Sequence, residues 1–165
     1  TDVHDLSVKF KRLNFDVTVD LNSTFEQMET LIDEFVNSIG ERDTVFFFFN
    51  GHAASWKNQN FLLPVDDDEL TNSGMLQYHA INAGKLLQQI VARDPSTVIF
   101  LLDASYSRDS SESPFKSIGL CSMAAPLGSL VMFSCGVGQT IENVSRNDRN
   151  GLFIEQLLQY IHLSQ

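Results

Sequence analysis

Three apolar runs of this 165-residue chain end directly on side chains that can do chemistry. Val45 to Phe49 leads into Asn50-Gly51-His52, and Thr97 to Leu102 into Asp103-Ala104-Ser105. Leu130 to Phe133 leads into Ser134-Cys135-Gly136, and a polar, glycine-bearing loop follows as far as Asn150. A histidine can act as general base because its ordinary pKa lies near neutrality, and a hydroxyl becomes a nucleophile once a base takes its proton. His52 is therefore the candidate base and Ser105 the candidate nucleophile. Cys135 is a rival thiol nucleophile, although a cysteine there more often serves as a small buried apolar residue beneath a pocket. His4, His79 and His162 fall in helical or loop contexts and read as structural.

The three runs are too short for helices and apolar throughout, as suits strands covered on both faces. Around them, Val3, Leu6, Phe10 and Leu13 recur at helical spacing, and Phe15 to Val19 then alternates as a strand does. Ser23 followed by Glu26 reads as a capping box opening a helix whose apolar face is Phe25, Met28, Leu31, Ile32, Phe35 and Val36, stopping before Gly40. Phe61 to Val65 reads as another strand. Leu86, Leu87, Ile90 and Val91 form a helical face that Asp94-Pro95 ends, and Leu152 to Leu163 is a closing helix. Helices alternating with apolar strands imply parallel crossovers, hence a three-layer α/β domain with a mostly parallel sheet. In such sheets ligands gather beyond the carboxyl ends of the strands, where His52, Ser105 and several acids converge.

Bulk properties narrow the function classes. The length suits a single domain, residues 1–165, with 43% hydrophobic residues to fill a core. Twenty-one acidic against 11 basic residues give a net charge of −10 and a pI of about 4.6, so nucleic acid and anionic membranes are disfavoured partners. No apolar run approaches the roughly 20 residues of a membrane span. Two cysteines, Cys121 and Cys135, without metal-ligand spacing point to a reduced, cytoplasmic setting. The sequons at Asn22 and Asn143 are patterns short enough to arise by chance. Asp66-Asp67-Asp68-Glu69 reads first as a solvated loop. Its oxygen ligands would suit calcium as the lesser reading, so no cofactor is expected. No strand leads into a glycine-rich phosphate loop, which disfavours a nucleotide-binding domain.

Two segments carry a family resemblance. Phe46-Phe47-Phe48-Phe49-Asn50-Gly51-His52, a short polar loop, and Asn60-Phe61-Leu62-Leu63-Pro64-Val65-Asp66 resemble the histidine segment of caspase-like peptidases of the paracaspase and metacaspase branch. Leu101-Leu102-Asp103-Ala104-Ser105 is similar to the family's Leu-Asp-x-Cys, with Ser105 at the cysteine position. His52 lies 53 residues before Ser105, against roughly 50 in caspases. The resemblance implies a caspase/hemoglobinase α-β-α fold and endopeptidase chemistry, with His52 as catalytic histidine, Ser105 at the nucleophile position and the backbone around Gly51 in the oxyanion region. It further implies an acidic S1 pocket of Asp2, Asp103 and Glu142 selecting Arg or Lys at P1, where a carboxylate cluster suits a guanidinium. The expected partner is a protein or peptide substrate.

The serine decides activity. A thiol ionises near neutrality and works beside a loosely held histidine, whereas a serine hydroxyl needs a close, oriented relay. Negligible peptidase activity is expected. Either a cysteine was replaced to trap an inactive form, as retention of His52, Asp2, Asp103 and Glu142 favours, or this is a natural pseudoprotease with a scaffolding role. Ala53 after the histidine and Tyr106-Ser107 after the serine favour the second. Arg108 to Lys116 resembles the family's loop after the nucleophile. The family's first central strand and last strand have no counterpart here, so a fragment of a longer chain is expected. The chain as written is expected to be monomeric, and a longer one could dimerise.

Overall fold

The computed structural model describes residues 2–67, 70–104, 119–139 and 151–161. The elements run α1 (Asp2–Arg12), α2 (Phe25–Ser38), β1 (Thr44–Gly51), β2 (Ala53–Trp56), β3 (Gln59–Leu62), α3 (Leu76–His79), β4 (Ile81–Asn82), α4 (Ala83–Val91), β5 (Thr97–Ala104), β6 (Ser129–Phe133) and α5 (Leu152–Tyr160). They divide into two compact units, Thr1–Leu21 with Glu142–Gln165, and Asn22–Ile141.

In the larger unit, β1, β5 and β6 form a parallel sheet in the order β1-β5-β6. The three apolar runs of the sequence are these three strands. Alternate residues take opposite faces. Val45, Phe47 and Phe49 of β1 and Val98, Phe100 and Leu102 of β5 join one core with Phe25, Met28, Ile32, Phe35 and Val36 of α2 and Leu86, Leu87 and Ile90 of α4. Phe47 stacks on Phe100 with centroids 4.6 Å apart. Phe46, Phe48, Ile99, Leu101 and Asp103 occupy the other face by the same alternation.

A second, antiparallel sheet, β2-β3-β4, was only partly foreseen. The expected strand Phe61–Val65 is its middle member, shifted to Gln59–Leu62 and paired with β2 and β4. The β2–β3 turn is Lys57-Asn58, with φ of 50° and 58°. Left-handed values at both central positions give the twist a two-residue hairpin needs, a job more often signalled by Asn-Gly. Trp56 and Met75 pack on a second cluster of Ala54, Phe61, Leu63, Leu70, Leu76 and Ala80.

The capping box of α2 lies one residue later than expected. Thr24 Oγ1 accepts from Gln27 N at 3.4 Å and Gln27 Oε1 from Thr24 N at 3.0 Å. Both Ser23/Glu26 and Thr24/Gln27 satisfy the pattern. A tertiary tie decides between them, because the Ser23 carbonyl accepts from Val65 N at 3.0 Å. Asp66 adds a further cap, its Oδ1 accepting from Phe25 N at 3.0 Å.

The smaller unit contains α1 and α5, which are in contact and bury Leu6 and Ile154. Phe15 to Val19 is a correction: it pairs with no strand among the described residues. After Asn14, at φ 62°, Phe15 N donates to Phe10 O at 3.1 Å and the two rings meet edge to face, turning the chain back on the end of α1. Alternation marks an extended segment and supplies no ladder partner.

Candidate active site

The β1–β5 register positions the candidate residues. It pairs Asn50 with Asp103 and Gly51 with Ala104, so both strands end level. His52 follows Gly51 at the exposed junction between β1 and β2, where its carbonyl accepts from Leu63 N at 2.9 Å. Ser105 follows Ala104 in sequence and lies outside the described residues, as do Glu142, Tyr106-Ser107, Arg108 to Lys116, Asn143 and His162. Gly51 faces Phe49: a Cβ there would sit 3.0 Å from Phe49 Cζ, so any side chain must displace that ring.

Asp103 is the buried charged side chain among the described residues, at 6% exposure. Asn50 Nδ2 donates to its Oδ2 at 2.9 Å, which fixes the carboxylate with a neutral amide. A buried carboxylate is costly unless hydrogen-bonded or met by a cation. Asn50 was missed by sequence reasoning, although its place directly opposite Asp103 follows once the two strands are aligned.

Asp2 opens α1, and within the smaller unit both its carboxylate oxygens accept from Gly151 N, at 3.1 and 3.4 Å, beside the start of α5. A carboxylate is favourable at a helix N-terminus, where the amides carry partial positive charge.

The two cysteines are free and half-buried. Burial pushes the Cys135 thiol above its ordinary pKa, and the negative charge of Asp103 pushes it further the same way. Its Sγ donates to Gln139 O at 3.3 Å. A thiolate, the form that attacks, is thus disfavoured at Cys135. Cys121 is also raised by burial, with its own backbone hydrogen bond acting in the opposite direction.

Asp66 serves the N-terminus of α2, and the Asp67 carbonyl accepts from Leu70 N at 2.9 Å, while Asp68 lies outside the described residues. Among the described residues no group of three or more His, Cys, Asp or Glu gathers for a metal ion. No described helix is long and apolar enough to cross a membrane.

No curated protein matches the chain. The family model of the caspase domain, a peptidase family, matches residues 1–165. A parallel β1-β5-β6 sheet with helices on its core face accords with that match, and the chain belongs to the caspase domain family.

Proposed function

We propose that this domain is of the paracaspase and metacaspase type, that it recognises an Arg or Lys side chain of a protein or peptide, and that it is inactive or nearly so because Ser105 stands at the nucleophile position. The observation that carries the reading is the buried Asp103 carboxylate, held by Asn50 level with the strand end that leads to His52. In this reading Asp103, Asp2 and Glu142 supply the carboxylates for a basic P1 side chain, His52 is the base, and the backbone near Gly51 serves the oxyanion. The setting is cytoplasmic. A serine hydroxyl ionises only at much higher pH than a thiol, so in a site built for a thiol nucleophile it loses several orders of magnitude in rate.

Titration with an Arg-containing peptide tests the recognition half. Binding without turnover is expected, and Asp103→Ala should weaken it at least about tenfold by removing one partner of a buried charge pair. Equal affinity in the variant, or equal affinity for the peptide with Arg replaced by Asp, would refute it.

A second reading, a natural pseudoprotease that scaffolds a partner through the same residues, is favoured by Ala53 after the histidine and by Tyr106-Ser107. It shares the binding result and differs in predicting silence from a restored cysteine.

A further inference from the structure

Ser55 and Asn60 are cross-strand partners in the β2–β3 hairpin, so their side chains leave the same face of the sheet. Both are spent on one short segment. Ser55 Oγ donates to Gly119 O at 3.2 Å. Asn60, only 1% exposed, uses its whole amide on the next residue but one: Nδ2 donates to Cys121 O at 2.7 Å, while Oδ1 accepts from Cys121 N at 2.9 Å and from Cys121 Sγ at 3.1 Å. Between the two anchor points Leu120 is buried in the main core, at 4% exposure.

The far side of this segment touches the loop after β6. Gly138 N donates to Leu120 O at 3.0 Å. Gly119 has φ +76°, and a Cβ on it would lie 2.5 Å from Gln139 O and 2.7 Å from Gln139 N. Backbone thus lies directly on backbone, a contact only glycine permits. Gln139 in turn holds the loop: its Oε1 accepts from Gly136 N at 3.2 Å and its carbonyl from Cys135 Sγ at 3.3 Å. Leu102 pairs with Phe133 across the β5–β6 ladder and Ser134 N donates to Leu102 O at 3.1 Å, so the loop leaves β6 level with Asp103, the residue after Leu102. A chain of fixed contacts runs from the hairpin, through Gly119–Cys121, to the loop beside the buried carboxylate.

We infer that Ser55, Asn60 and Gly119 are positioning residues that hold the Cys135–Gln139 loop in place beside Asp103, so that the hairpin sets the shape of the cation-accepting site without touching its ligand. The inference rests on the reading of Asp103 as part of a site for a basic side chain. An unfilled Asn60 position would leave the half-buried Cys121 peptide without its amide partner, and the segment would lift away with the loop attached to it.

Two measurements on the full chain test this. The first needs no ligand: alkylation of Cys135 by iodoacetamide is followed across pH by mass spectrometry, which separates it from Cys121. In Ser55→Ala and Asn60→Ala the loop loosens, and Cys135 should react at least about threefold faster at pH 8, its profile moving toward that of an ordinary thiol. Ser55→Ala is the smaller change, since it leaves the Asn60 clamp on Cys121 in place, and it keeps the test usable should Asn60→Ala fail to fold. An unchanged profile in a folded variant overturns the inference. The second is a double-mutant cycle on Arg-peptide affinity. Asn60→Ala should weaken binding about tenfold, and much of that loss should vanish in the Asp103→Asn background, because residues acting on one site are coupled. Strict additivity would mark Asn60 as merely stabilising and overturns the inference. Failure of the unmodified chain to bind the peptide counts against the proposed recognition alone, since the alkylation result stands independently.

Discussion

Asn50 and Asp103 face each other across the parallel β1–β5 ladder, and the 2.9 Å bond from Asn50 Nδ2 to Asp103 Oδ2 is what holds a carboxylate in place at the C-terminal end of the central strand. Asn50→Ala leaves Asp103 short of a donor. It should cost about 1 kcal/mol, the usual net worth of such a bond, measured by urea unfolding. Asp103→Asn in the Asn50→Ala background should recover part of that loss, because the charge that needed the donor has gone. No recovery would mean that the bond carries no stabilisation.

The thiols make folding sensitive to alkaline pH. Both cysteines have their pKa raised in the folded state, so at high pH the unfolded chain releases protons that the folded chain retains. Stability is then fully present below the ordinary thiol range and falls as pH rises through it. Asp103→Asn should lower the Cys135 pKa and speed its alkylation at fixed pH, with Cys121 unaffected. Equal rates in the parent and the variant would exclude Asp103 as a cause.

Helix α2 offers a test of its cap. Thr24→Ala should destabilise by about 1 kcal/mol, whereas Thr24→Ser should be close to neutral. Glu26→Gln should matter little, because Gln27 is the residue that closes the box. A larger effect at Glu26 than at Thr24 would restore the register expected from the sequence.

Two glycines with nearly equal backbone angles should respond differently. Gly128, at φ +79°, has only Ser96 O near a built Cβ, at 3.8 Å, so Gly128→Ala should cost about 1 kcal/mol for the left-handed conformation alone. Gly119→Ala adds a backbone collision and should cost about 3 kcal/mol or more. Thermal unfolding of both variants compares them directly, and similar losses would deny the close packing of Gly119 on Gln139.

Legibility in the sequence followed local physics. Continuous apolar runs such as Val45–Phe49 and Thr97–Leu102 gave the parallel strands, because burial on both faces leaves no other composition. The α2 face was equally plain from its 3.6-residue period. What stayed hidden depended on partners distant in sequence. The cap register of α2 turned on Val65 meeting Ser23, and the β2 strand was masked by its short Ala-Ala-Ser-Trp run and a turn of Lys57-Asn58 with no glycine to mark it. Phe15–Val19 alternated correctly yet found no ladder. At the site, motif order alone drew attention to His52 and Asp103, but Asn50 and Asn60 gain their meaning only from strand pairing. An asparagine in a strand has no signature that separates a buried clamp from a surface amide.

The central claim is that recognition of a basic side chain survives while the means of cutting beside it does not. Its most direct measurement is the activity of Ser105→Cys on fluorogenic peptides ending in Arg, Lys or Asp. The account predicts cleavage after Arg and Lys, none after Asp, loss of that activity in the His52→Ala, Ser105→Cys double variant, and negligible turnover by the unmodified chain. Cleavage after Asp, or turnover by the unmodified chain equal to that of Ser105→Cys, would contradict it.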